Sequence, residues 1–169
     1  MARMREHRRK SVRLPGYDYS QPGAYFVTIV CKNREPVFED PVMRTAVEEA
    51  WQWLGNKFQD VELDAFVVMP NHVHGVLFIT DRAEGRSQTA PTGVSAAKPL
   101  GRLVGAFKTR ATSLINAIRV TPTNPVWQRN YHEHVVRIPT ELNRIRQYIA
   151  DNPLKWDEDP ETPIGAKIT

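Results

Sequence analysis

A single cysteine, Cys31, stands in 169 residues, which leaves no intramolecular disulfide, and with no C-x-x-C pair there is no thiolate clamp for zinc. Long apolar runs are missing too. No stretch of about 18 apolar residues occurs, and the opening MARMREHRRK has no apolar core of a secretory leader. The chain is therefore expected in the cytoplasm, held together by packing alone. No internal repeat is visible. What is present suits one compact domain: 41% hydrophobic and 25% charged residues supply a real core and exclude disorder of the whole chain.

The net charge of +4 is unevenly spread. Residues 1–13 carry Arg3, Arg5, Arg8, Arg9, Lys10 and Arg13 against Glu6, a net +5, and the other 156 residues hold 17 basic and 18 acidic groups. Such an arm attracts a polyanion by counterion release, and nucleic acid is the polyanion a cytosol offers most. The plain alternative is a solvated tail that binds nothing.

After a Pro22-Gly23 turn, residues 24–32 (AYFVTIVCK) have the aromatic and β-branched content of a strand. Helical spacing of Met43, Val47, Ala50, Trp51, Leu54 and Phe58 follows, with Asp40 and Pro41 placed as cap and first turn. Residues 61–69 and 72–80 read as strands around Pro70-Asn71, a hairpin. Residues 81–99 are small, polar and aperiodic, a mobile loop. Leu100, Leu103, Val104, Phe107, Ala111, Leu114, Ile115 and Ile118 trace the longest helix. A short strand at 132–138 and a helix at 139–151 follow, with Asn152-Pro153 as the stop. The order β-α-β-β-α-β plus one helix predicts an α+β fold, a ferredoxin-like antiparallel sheet with helices on one face. The domain is bounded at 14–156, between the basic arm and a tail at 157–169.

Chemistry gathers in two places. In Pro70-Asn71-His72-Val73-His74, strand alternation puts His72 and His74 on one face, spaced for two imidazoles to reach one ion. An isolated H-x-H also describes ordinary surface or core histidines, and His132-Glu133-His134 is a rival pair. The first pair runs into an apolar strand, whereas the second lies in a polar stretch where local hydrogen bonding suffices. In the last helix, Tyr148 and Asn152 lie about 40° apart at one edge of the apolar arc formed by Leu142, Ile145 and Ile149. A hydroxyl and an amide oxygen thus face one place, though a core-edge tyrosine and a helix-end asparagine would look the same.

Taken together, residues 70–75 (PNHVHG), 127–131 (WQRNY) and 148–153 (YIADNP), with the arm-to-strand stretch 9–28, resemble the single-tyrosine HUH transposases of bacterial insertion sequences. The resemblance is to their domesticated branch, the REP-associated tyrosine transposases, and it spans residues 8–156. It implies that His72 and His74 are the HUH metal pair, Tyr148 the nucleophile and Asn152 the third ligand. It further implies nicking and joining of single-stranded DNA through a 5′-phosphotyrosine. The substrate it implies is a hairpin-forming repetitive palindrome, with the protein working as a monomer or homodimer.

The residue types suit that chemistry. A divalent ion draws charge from a phosphodiester and orients it for in-line attack, and two nitrogens with an amide oxygen suit Mn²⁺ or Mg²⁺ better than a closed zinc site. Bond energy kept in the phosphotyrosine explains how strands rejoin without a P-loop, which the sequence lacks. Phosphate contacts are expected from the arm and from Lys108, Arg110, Arg129 and Arg137, and base stacking from among Tyr17, Tyr19, Tyr25, Trp127 and Tyr131. Two other functions fit the same residues: a hairpin-DNA-binding module with a vestigial catalytic set, and a metal hydrolase that uses bound water.

Overall fold

A computed structural model describes residues 16–80 and 99–158, the side chains of 155, 157 and 158 excepted. The arm's Arg3, Arg5, Arg8, Arg9, Lys10 and Arg13, nearly all of the loop expected at 81–99 and the end of the tail lie outside them.

Four strands, β1 (Gly23–Val30), β2 (Val61–Met69), β3 (His72–Ile79) and β4 (His132–Val136), form one sheet in the order β2-β3-β1-β4. Every neighbouring pair is antiparallel. Helices α1 (Pro41–Lys57) and α2 (Leu100–Arg119) are the two crossovers of a split β-α-β plan, and α3 (Pro139–Asp151) follows β4. This is the expected ferredoxin-like α+β architecture.

Local sequence explains the helices. The Asp40 side chain accepts from the Val42 N–H at 2.8 Å, and Pro41 occupies the first turn, where no N–H is needed. Met43, Ala46, Val47, Ala50, Trp51 and Leu54 then bury one stripe of α1. On α2 the buried stripe is Leu100, Leu103, Val104, Phe107, Ala111 and Ile115, while Ile118 is left exposed.

Both stripes pack on one face of the sheet, against Tyr25, Val27 and Ile29 of β1 and Val73, Leu77 and Ile79 of β3. Gly75 belongs to that face because Trp51 presses on it. A Cβ there would stand 2.6 Å from Trp51 Cη2, and the indole stacks at 4.4 Å on Phe66. Pleating sends the alternate residues Phe26, Thr28, Val30, His72 and His74 to the opposite face. That second face is covered by α3, which contacts β2, β3 and β4.

Two local features depart from simple alternation. A bulge in β2 between Leu63 and Phe66 shifts the register, so Val61 and Leu63 point to the core before it and Phe66 and Val68 after it. The chain also does not stop at Asn152-Pro153. Residues Asn152–Glu158 continue as 3₁₀ turns, since proline at the second position of a helical segment loses no hydrogen bond.

Candidate active site

The Pro70-Asn71 corner starts β3 with two imidazoles on the α3 side. His72 is opposite Val30 and Met69, and His74 is opposite Thr28 and Val67. Both rings are buried, and their Nε2 atoms lie 3.0 Å apart. Each Nδ1 is engaged from behind: His72 Nδ1 by Asn71 Oδ1 and His74 Nδ1 by Thr28 Oγ1, both at 2.8 Å. Asn71 Nδ2 in turn donates to the Arg34 carbonyl at 3.3 Å.

From α3 the Tyr148 hydroxyl comes within 3.3 Å of His74 Nε2, the nitrogen that also faces His72. The phenol meets the imidazoles within one chain. Its ring stands edge-on to His74 and Phe26, at 5.2 and 6.2 Å between centroids, and 44% of the residue is exposed. Eight residues on, the Trp156 indole stacks on His72 at 6.0 Å. Asn152 is midway between these two and keeps helical φ and ψ (−57°, −42°), so it rides the same helix edge one turn beyond Tyr148. It is buried, and its Oδ1 has no hydrogen-bond partner among the described residues.

A cation fits these residues. Two nitrogen ligands at about 2.1 Å and at right angles around one ion stand about 3.0 Å from each other, the separation of the two Nε2 atoms. An orphaned buried amide oxygen costs free energy that an ion would return. Among the described residues no third His, Cys, Asp or Glu joins the two imidazoles.

Elsewhere two bonded contacts hold α3 over the sheet. Arg146 Nε donates to Asp64 Oδ2 at 2.9 Å, at the β2 bulge. Glu141 accepts from the Arg137 N–H at 3.0 Å and from His134 Nε2 at 2.7 Å, and these two bonds hold its carboxyl below the usual carboxylate range. His134 thus takes the local hydrogen bond weighed for the rival pair. His132, opposite Thr28 on the same face, is exposed.

The basic candidates are dispersed. Lys108 Nζ donates to the carbonyls of Gln128 at 2.9 Å and Asn130 at 3.0 Å and lies 5.8 Å from the Tyr131 ring, so its ammonium is tied to the loop before β4. Burial pushes that amine down to about 8. Arg110 reaches Glu49 at 3.1 Å and packs over Trp53, both on α1, in the helix layer across the sheet from the imidazoles. Arg129 and Arg137 are exposed. Of the expected stacking aromatics, Tyr25 and Trp127 are buried in the core, and Tyr17, Tyr19 and Tyr131 pack against it.

Sequence reasoning missed Phe26, Thr28, Asn71 and Trp156 as neighbours of the site. For Thr28 the signal was strand alternation in β1, but which face mattered depended on its pairing with β3. Asn71 read as a turn residue, and Trp156 lay beyond the expected end of the helix.

No family model matches the chain. It is 34% identical over 170 aligned positions to an uncharacterised protein of Haemophilus influenzae, covering 90% of this chain and 92% of that one. It belongs to one family with that protein. Among solved structures it is similar to a REP-associated tyrosine transposase bound to a REP hairpin, with a TM-score of 0.60 and 18% identity over 88% of this chain and 78% of the other. The chain has the fold of a REP-associated tyrosine transposase. Within that fold His72 and His74 start β3 and Tyr148 reaches them from α3, the three residues that the PNHVHG and YIADNP motifs had singled out.

Proposed function

We propose that this protein nicks and rejoins single-stranded DNA through Tyr148, with Mn²⁺ or Mg²⁺ held by His72, His74 and Asn152. It would be an HUH tyrosine transposase acting on hairpin-forming repetitive palindromes. One observation carries the reading: an exposed phenol within 3.3 Å of a buried imidazole pair whose Nε2 atoms are 3.0 Å apart. The orphaned Asn152 oxygen supports the cation. The hairpin partner is carried over from the transposase of shared fold, which is bound to a REP hairpin.

A divalent ion in that site supplies charge withdrawal from the scissile phosphate and its alignment for in-line attack. The protein does the rest. Asn71 and Thr28 fix the two rings, and Phe26 and His74 hold the phenol edge-on, so Tyr148 waits with little freedom left to lose. Its oxygen forms the bond to phosphorus while the bond from phosphorus to O3′ breaks. The phenol proton passes to water, and the leaving oxygen takes up a proton to become a free 3′-hydroxyl. Attack of a 3′-hydroxyl on the phosphotyrosine runs the step backwards and joins a strand. The basic arm, with the exposed Arg129 and Arg137, holds the phosphates of the bound strand.

The test is incubation of the full chain with repeat-hairpin oligonucleotides, with and without Mn²⁺, resolved on a denaturing gel. A protein-linked DNA band is expected that needs Mn²⁺, survives Tyr131→Phe and disappears in Tyr148→Phe. A band that persists in Tyr148→Phe overturns the assignment of the nucleophile. Mn²⁺ binding with no cleavage of any hairpin points to the vestigial binding module, and turnover without an adduct to the hydrolase.

A further inference from the structure

The imidazole pair lies in one hydrogen-bonded chain whose directions follow from its far end. Asn71 donates through Nδ2 to the Arg34 carbonyl at 3.3 Å, so the atom facing His72 is its oxygen. A carbonyl oxygen only accepts. His72 therefore carries its proton on Nδ1 and presents a lone pair at Nε2. His74 Nε2 stands 3.0 Å away, and two lone pairs facing each other at that distance repel, so without a cation His74 is protonated there and donates. The Nδ1 of His74 is then the acceptor, and the Thr28 hydroxyl at 2.8 Å is its donor. The chain runs from Thr28 through His74, His72 and Asn71 to Arg34.

We infer that Asn71 and Thr28 are positioning residues with opposite tasks: Asn71 locks His72 in its metal-ready tautomer, and Thr28 lets His74 change tautomer when the ion enters. The inference rests on the metal reading above. Loading requires the lone pair of both Nε2 atoms. His72 already offers one. His74 must lose its Nε2 proton to water and gain one at Nδ1 from water, so the ring stays neutral and no proton is gained or lost overall. Thr28 then turns from donor to acceptor, and a hydroxyl can serve in both states. The Asn71 end is fixed more rigidly. Asn33 and Arg34, which present the anchoring carbonyl, are consecutive non-glycine residues at φ 56° and 57°, a conformation that persists only where its surroundings enforce it. Asn71, His72, His74 and Thr28 are all buried.

Long-range ¹H–¹⁵N correlation of the histidine rings in the full chain at about pH 8 tests this directly. In metal-free protein His72 is expected protonated at Nδ1 and His74 at Nε2. With saturating Mg²⁺, His72 is unchanged and His74 moves to Nδ1. Protonation of His72 at Nε2 overturns the Asn71 lock, and an unchanged His74 overturns the exchange. Thr28→Val is expected to weaken Mn²⁺ binding by about tenfold or more, with Thr28→Ser restoring it, both read from the free-Mn²⁺ electron paramagnetic resonance signal. Unaltered affinity in Thr28→Val also overturns the exchange. A wild-type chain that takes up no Mn²⁺ sinks the metal reading and the exchange with it, while the metal-free spectrum alone decides the Asn71 lock.

Discussion

At the scale of single residues, Asn152 separates folding from function most sharply. Its buried Oδ1 lacks a hydrogen-bond partner among the described residues, a state that stability alone does not favour and the proposed ligand role would explain. Asn152→Asp keeps the oxygen and adds a charge. In metal-free protein the buried carboxylate is expected to lower stability by roughly 1–3 kcal/mol, seen as a fall in Tm, and saturating Mn²⁺ should recover most of that loss. A melt lowered equally with and without Mn²⁺ would remove Asn152 from the ligand set. Two of the site's pairings were legible from residue spacing alone. Alternation puts His72 and His74 on one face, and four-residue spacing puts Tyr148 and Asn152 on one edge. Thr28, Asn71, Phe26 and Trp156 were not legible, because what makes each matter is a partner on another element.

At the scale of elements, the site depends on how α3 and the loop before β4 are fixed. Arg146 grips the β2 bulge at Asp64, and Glu141 grips β4 through His134, so the helix is anchored on both sides of Tyr148's target. Lys108 plays the same part for the loop, where three backbone carbonyls accept from one ammonium. Burial brings that amine to about 8, below its ordinary 10.5. Below pH 8 it is protonated folded and unfolded alike and contributes no pH dependence. Between about 8 and 10.5 the unfolded chain holds the proton that the folded chain has released, so its contribution to stability rises with pH. Urea unfolding across that range should show wild type gaining on Lys108→Met by about 1–3 kcal/mol. A flat difference would mean the carbonyls keep the ammonium at its ordinary value. The loop's carbonyls explain why a lysine expected to meet phosphate is turned inward, which its place on the polar side of a helical stripe did not reveal.

At the scale of the whole molecule, charge and chemistry are carried by different parts of the chain. Beyond residue 13 positive and negative groups nearly cancel, 17 against 18, and two of the basic groups expected to face DNA, Lys108 and Arg110, are engaged inside the described fold. On the proposed function, attraction for DNA phosphates would therefore fall mainly to the arm. Replacing Arg3, Arg5, Arg8, Arg9, Lys10 and Arg13 by glutamine should weaken hairpin binding. It should also flatten the slope of log Kd against log salt by up to about 4 to 5, since each neutralised phosphate contributes about 0.7 to 0.9. An unchanged slope in a salt titration would make the arm the solvated tail of the plain alternative.

The sequence by itself determined the element order, the helix stripes, the H-x-H face and the tyrosine-asparagine edge. These are periodicities of 2 and 3.6 written in neighbouring residues, and short-range sterics enforce them. Only the tertiary structure decided that the two edges meet. The bulge at Leu63–Phe66 switches which residues of β2 face α3, and the 3₁₀ turns after Asp151 carry Trp156 onto His72. The Asn33-Arg34 turn aims a carbonyl at Asn71. Each of these is settled by contacts between residues distant in the chain, and spacing along it carries no record of them.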